Sequence, residues 1–156
     1  MKTARPERAL ILAPTGRDSE IAAGVLAEAR IESEACECVD GLVAELLCGA
    51  GFVLVTEEAL LGSDLRSLSK WIRAQPEWSD IPFVLLTHRG GGLERNPDAG
   101  RFLNTLGNVT FLERPFHPTT LISLGQSALR GRRRQYDARE RLEELQESED
   151  HFRHTV

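Results

Sequence analysis

Four unbroken apolar runs, Ala9-Leu10-Ile11-Leu12-Ala13, Phe52-Val53-Leu54-Val55, Ile81-Pro82-Phe83-Val84-Leu85-Leu86 and Val109-Thr110-Phe111-Leu112, recur along the chain with helical stretches between them. Short runs without polar alternation suit strands buried on both faces. A fifth stretch, Glu34 to Val39, alternates glutamate with small apolar residues and suits an outer strand. Between the runs lie the helices. Asp18 or Ser19 is placed to cap one carrying Ile21, Val25 and Leu26. Asp40 is placed to cap a second through Leu42, Val43, Leu46 and Leu47, stopped by Gly49-Ala50-Gly51. Further helices are predicted over Leu65–Ala74 and Ala99–Leu106. The order strand-helix, five times over, predicts an α/β fold: a doubly wound, five-stranded parallel sheet in the order 2-1-3-4-5. Function in such sheets gathers at the carboxyl ends of the strands. Those ends carry Pro14 and Thr15, Thr56 and Glu57, Thr87, and Arg114.

The chain of 156 residues holds one domain and an extension. A net charge of −5 argues against a general nucleic-acid binder. No apolar run approaches the roughly 20 residues that span a bilayer, and the first residues lack the apolar core of a signal peptide. These points place the chain in the cytoplasm, with neither nucleic acid nor membrane as partner. Cys36, Cys38 and Cys48 fit a reducing compartment. With no further Cys or His in sequence reach of Cys36-x-Cys38, the reading is structural, with no metal and no cofactor. The loop from His88 to Asp98 holds Gly90-Gly91-Gly92, but Leu93 to Pro97 separate these glycines from the next helix. A flexible connector is expected there rather than a phosphate cradle.

The last run continues as Glu113-Arg114-Pro115-Phe116. Proline ends the strand, and a basic residue followed by Pro-Phe resembles the end of the last strand of response-regulator receiver domains, a receiver/flavodoxin-like fold. The resemblance covers about residues 8 to 130. It implies that Thr87, closing the fourth strand, matches the hydroxyl residue that contacts the phosphoryl group. It implies that Arg114 stands where receivers have Lys, and that the Arg114–Pro115 peptide is cis. It also exposes departures. Receivers hold Mg²⁺ with an acidic pair at the end of the first strand, where this chain has Pro14 and Thr15. The phosphoacceptor aspartate falls on Thr56, with Glu57 one residue further on. A threonine hydroxyl forms no acyl phosphate, and Mg²⁺ prefers anionic oxygen. Arg114, a planar donor fork, suits a carboxylate; a pair with Glu57 is one reading, and solvation of both at the rim is the other.

Past Pro118, capped by Thr119 or Thr120, the sequence turns helical and does not stop. Leu121, Leu124, Ala128, Ala138, Leu142, Leu145 and Phe152 follow spacings of three and four, weakened at Gly131, Gln135 and Glu149. That is a heptad stripe, which predicts a parallel homodimer through this helix. The cluster Arg130-Gly131-Arg132-Arg133-Arg134 is followed by acids and reads as a solvated helix face. Leu145-Gln146-Glu147-Ser148-Glu149-Asp150-His151-Phe152-Arg153 resembles the segment that opens PAS domains in bacterial sensor histidine kinases. The resemblance implies residues 1–7 as a tail, 8–130 as a receiver-like domain, and 131–156 as a coiled-coil signalling helix leading toward a PAS domain and kinase core. The expected function is a non-catalytic, degenerate receiver in two-component signal transduction that regulates or dimerises a sensor histidine kinase. This fragment would not be an enzyme; the full-length protein would be a histidine kinase. Two alternatives are a receiver accepting phosphate at Glu57 or Asp18, and a small-ligand sensor at the strand ends.

Overall fold

A computed structural model describes residues 6–88 and 96–155, the last four of these by backbone only. The loop glycines Gly90–Gly92 and the Phe152 side chain lie outside the described residues. The order of elements is β1 (Ala9–Leu12), α1 (Asp18–Glu28), β2 (Ser33–Cys36), α2 (Val39–Leu46), β3 (Phe52–Thr56), α3 (Glu57–Leu61), α4 (Arg66–Arg73), β4 (Phe83–Thr87), α5 (Ala99–Leu106), β5 (Val109–Glu113) and α6 (Pro118–Thr155). The five strands form one sheet in the order β2-β1-β3-β4-β5, with every neighbouring pair parallel.

Pleating sends alternate side chains to opposite faces. Leu10, Leu12, Val53, Val55, Phe83 and Leu85 meet α2, α4 and α5 on one face. Ala9, Ile11, Phe52, Leu54, Val84, Leu86 and Leu112 meet α1 and α6 on the other. β1, β3 and β4 are buried throughout, as their unalternated sequences demand, whereas β5 exposes Thr110 and Glu113 as an edge strand does. The Arg114–Pro115 peptide is cis.

Several local expectations are corrected. Cys38, not Asp40, caps α2: its Sγ accepts from the Gly41 amide at 3.4 Å, while Asp40 accepts from Ser67 Oγ at 3.1 Å. Neither Asp18 nor Ser19 caps α1, whose cap position is Arg17. At the start of α6 the Thr119 amide donates to His117 Nδ1 at 3.1 Å, so His117 takes the role given to Thr119 and Thr120. The five-residue α3 was not foreseen. Cys36 is buried, and burial pushes its thiol up to about 11, helped by the carboxylates of Glu45 and Glu34. A thiol held protonated is a poor metal ligand or nucleophile.

The largest correction concerns α6. Leu121 is fully buried, and Leu124 and Ala128 pack on the same core. These three residues wall their own domain rather than opening a dimer seam. Leu142 and Leu145 are 52% and 67% exposed, and Ala138 is half-buried. At 100° per residue this later stripe points about a third of a turn away from Leu121, Leu129 and Arg132. Contacts between α6 and the domain also run past residue 130, as far as Tyr136 and Arg139.

Candidate functional site

The carboxyl ends of β3, β4 and β5 bring Thr56, Glu57, Glu58, Thr87, His88 and Arg114 together, and the first turn of α1 adds Asp18. The pairing of Thr56 with Leu86 fixes Thr56 as the last residue of β3. The side chain of Thr56 is buried, and its Oγ1 accepts from the Ala59 amide at 3.3 Å, capping α3. Its hydroxyl is committed to the backbone.

Glu57 therefore opens α3, where the helix N-terminus favours a carboxylate. It is only 4% exposed. Its Oε1 accepts from the His88 amide at 2.7 Å and also meets His88 Nδ1, and its Oε2 accepts from Asn96 Nδ2 at 3.1 Å. Asn96 is buried, and its Oδ1 accepts from the Asp98 amide at 3.0 Å just ahead of α5. One buried carboxylate thus ties the end of β4 to the start of α5.

Arg114 neither pairs with Glu57 nor lies free at the rim. It donates through Nη1 to Asp18 Oδ2 at 2.8 Å and through Nη2 to Glu58 Oε1. Its Nε and its amide both donate to the Thr87 carbonyl, at 3.2 and 2.9 Å. Burial works against charge on both partners. At Glu58 burial is the largest single influence, but the Arg114 hydrogen bond and charge, a backbone hydrogen bond and the nearby His88 together outweigh it and hold that carboxyl below its ordinary value. The bonds to Glu58 and Asp18 likewise outweigh burial at Arg114 and raise it. Pro14 and Thr15 are exposed and bring no carboxylate; the next acid in the chain is Asp18, the first residue of α1.

Thr87 is fully buried, and its Oγ1 has no hydrogen-bond partner among the described residues. A cation at this end of the sheet would draw on Asp18, Glu57 and Glu58. Each is already engaged, and among the described residues no three His, Cys, Asp or Glu side chains stand together as a metal-binding group. Beside the ion pairs lies a cleft of about 510 Å³. Ile21, Val25, Pro115, Phe116 and Pro118 supply its apolar wall and Asp18, Glu58, His88 and Arg114 its polar end.

Sequence reasoning overlooked Glu58, His88 and Asn96. Consecutive acids directly after a buried strand were the available signal for Glu58. The other two are set by tertiary contacts alone.

No protein-family model matches the chain, and no curated protein matches it. Solved structures do. The signal receiver domain of an HD domain-containing protein from Pseudomonas fluorescens Pf-5 superposes with a TM-score of 0.65 at 16% identity, over 90% of this chain and 96% of that one. The receiver domain of NtrX from Brucella abortus gives 0.62 at 23%, over 78% and 98%. A sensor protein from Polaromonas sp. JS666 gives 0.63 at 17%, over 82% and 98%. With its five parallel strands in the order 2-1-3-4-5, the chain has the fold of a response-regulator receiver domain, extended by one long C-terminal helix.

Proposed function

We propose that the chain is a degenerate, non-catalytic receiver domain that serves two-component signalling by ordering and dimerising the domains that follow it. The observation that carries this reading is the self-sufficiency of the strand ends. Arg114 is bridged by Asp18 and Glu58, Glu57 is held by His88 and Asn96, and Thr56 caps α3. A phosphorylatable site needs a free carboxylate and anionic ligands for a divalent cation. Here each acid already has an internal partner. Glu57 and Arg114 act as built-in charges that hold one conformation without a phosphoryl group.

In this reading residues 8–130 are the regulatory domain, and 131–156 carry its output through α6 toward a PAS domain and a histidine kinase core in the cytoplasm. Two copies pair in parallel along Ala138, Leu142 and Leu145. Each buried leucine contributes roughly 1.5–3 kcal/mol. No described helix is long and apolar enough to cross a membrane.

The test is incubation with acetyl phosphate, or with beryllofluoride and Mg²⁺, followed by mass spectrometry and amide NMR. No adduct and no saturable shift is the expected result. A stoichiometric phosphoryl adduct at Glu57 or Asp18 would overturn the reading in favour of an active receiver. The cleft beside Arg114 favours one further reading, a small-ligand sensor. A saturable, Mg²⁺-independent shift of Ile21, Val25 and Phe116 in a ligand screen would support it.

A further inference from the structure

The opposite end of the sheet carries a second polar cluster, built where α6 passes the loops that enter β3 and β4. Arg132 is 5% exposed, and no carboxylate pairs with it among the described residues. Its guanidinium lies 4.7 Å from the Tyr136 ring centroid and 5.6 Å from that of Trp78. Nε donates to the Ala50 carbonyl at 3.1 Å, and Nη1 donates to Ser79 Oγ at 2.8 Å and to Gln135 Oε1 at 2.6 Å. Gln135 Oε1 also accepts from the Asp80 amide at 2.8 Å, and its Nε2 donates to the Asp80 carbonyl at 2.9 Å. Tyr136 Oη donates to the Ala50 carbonyl at 3.1 Å, and Arg139 lies over Trp78 at 5.4 Å.

Burying a charge is costly even with the Asp80 carboxylate near enough to attract it, and leucine at position 132 would fill the same wall more cheaply. What leucine lacks is direction. A planar fork between two rings, with one acceptor on each of two separate loops and a third, Gln135 Oε1, on its own helix, has a single seated geometry. Gln135 adds a two-point grip on Asp80 that tolerates neither rotation nor sliding. Gly51 lets the helix come this close, because a Cβ there would strike Leu129 Cδ2 and the Glu7 carbonyl.

We infer that Arg132, Gln135 and Tyr136 form a clamp that locks α6 to the β3 and β4 entry loops, so that the helix leaves the domain in one fixed rotation and presents Ala138, Leu142 and Leu145 to a second copy. The clamp stands on its own contacts; only the use of the presented stripe rests on the proposed dimer. It makes the helix and the domain one rigid body, with the loops at Ala50 and Ser79-Asp80 as the place where a change in the sheet reaches the output.

Hydrogen exchange on the full chain tests this at low micromolar concentration, where the clamp is read in the monomer. The variants are Arg132→Gln, Gln135→Ala and Tyr136→Phe. Amides from 130 to 138 are expected to be protected in the wild type and to exchange about tenfold faster in the variants, with β1 and β3 unchanged. Should Arg132→Gln unfold, Gln135→Ala and Tyr136→Phe decide alone. Unprotected wild-type amides over 130–138, or protection unchanged in every folded variant, would overturn the clamp. Sedimentation at several hundred micromolar separates the two claims: a monomeric wild type with protected amides retains the clamp and removes the dimer.

Discussion

Arg114 donates to Asp18 across 2.8 Å, joining the end of β5 to the first turn of α1 over 96 positions of sequence. The same guanidinium reaches Glu58 at the start of α3 and the Thr87 carbonyl at the end of β4. Four elements therefore meet at one side chain that is itself largely buried. The cation sits at the strand ends with both of its carboxylate partners supplied from within the chain.

Replacing Arg114 should loosen that junction without unfolding the chain. Both carboxylate partners are partly exposed, so solvent screens the pairs. Arg114→Ala is expected to cost about 1–2 kcal/mol in urea denaturation. Arg114→Lys should recover only part of the loss, since a point charge cannot serve Asp18, Glu58 and the Thr87 carbonyl together. A lysine variant as stable as wild type would show that the fork geometry is immaterial.

Acid should act on the same junction. Glu58 has a lower pKa folded than unfolded, so its contribution is fully present above the unfolded value near 4.3 and disappears as pH falls through the folded value. Denaturation midpoints measured between pH 7 and pH 3 should therefore drop below about pH 4. Glu58→Gln should flatten part of that drop, and an identical pH profile for the variant would remove Glu58 from the account.

Glu57 presents a different kind of loss. Glu57→Ala removes the acceptor of both the Asn96 Nδ2 and the His88 N–H hydrogen bonds and should cost about 1–3 kcal/mol. Glu57→Gln turns an NH₂ toward one of these donors and should recover little. The loss is expected in thermal or urea unfolding, with NMR shifts concentrated at His88, Asn96, Asp98 and Ala99. Shifts confined to α3 would contradict the tie between β4 and α5.

Leucines in the two halves of α6 should behave in opposite ways. Leu121→Ala removes a fully buried side chain and should cost about 2–5 kcal/mol of domain stability. The double variant Leu142→Asp/Leu145→Asp should leave unfolding of the domain unchanged and abolish dimers in sedimentation. If wild type and double variant both sediment as monomers at hundreds of micromolar, the exposed stripe has another purpose.

Those three leucines also show where the sequence could be read and where it could not. The unalternated runs at Ala9, Phe52 and Phe83 announced buried strands because burial on both faces leaves no polar positions. The helix predicted over Ala99–Leu106 coincides with α5. The stripe through Leu121 and Leu124 was misassigned because a helix lying on its own domain and a helix in a coiled coil both repeat apolar residues every three or four positions. The partner, not the period, distinguishes them. α3 has five residues and too few turns to show a period. At the site, Thr56, Glu57, Thr87 and Arg114 were found because strand ends are local features. The choice of Asp18 and Glu58 over Glu57 as partners of Arg114 depended on how α1 and α3 are placed, which no spacing encodes.

The unbroken course of α6 from Arg132 to Leu145 turns residue count into angle. Each residue added between Tyr136 and Ala138 would swing everything downstream by about 100°. One insertion would aim the leucines at the side their own domain occupies, whereas seven, close to two full turns, would return them to nearly the original heading. A length-preserving change in this segment is thus cheap and a frameshift of the helix is not. Insertions of one and of seven residues would read out, in sedimentation of the chain, how strictly pairing depends on the heading of Ala138, Leu142 and Leu145.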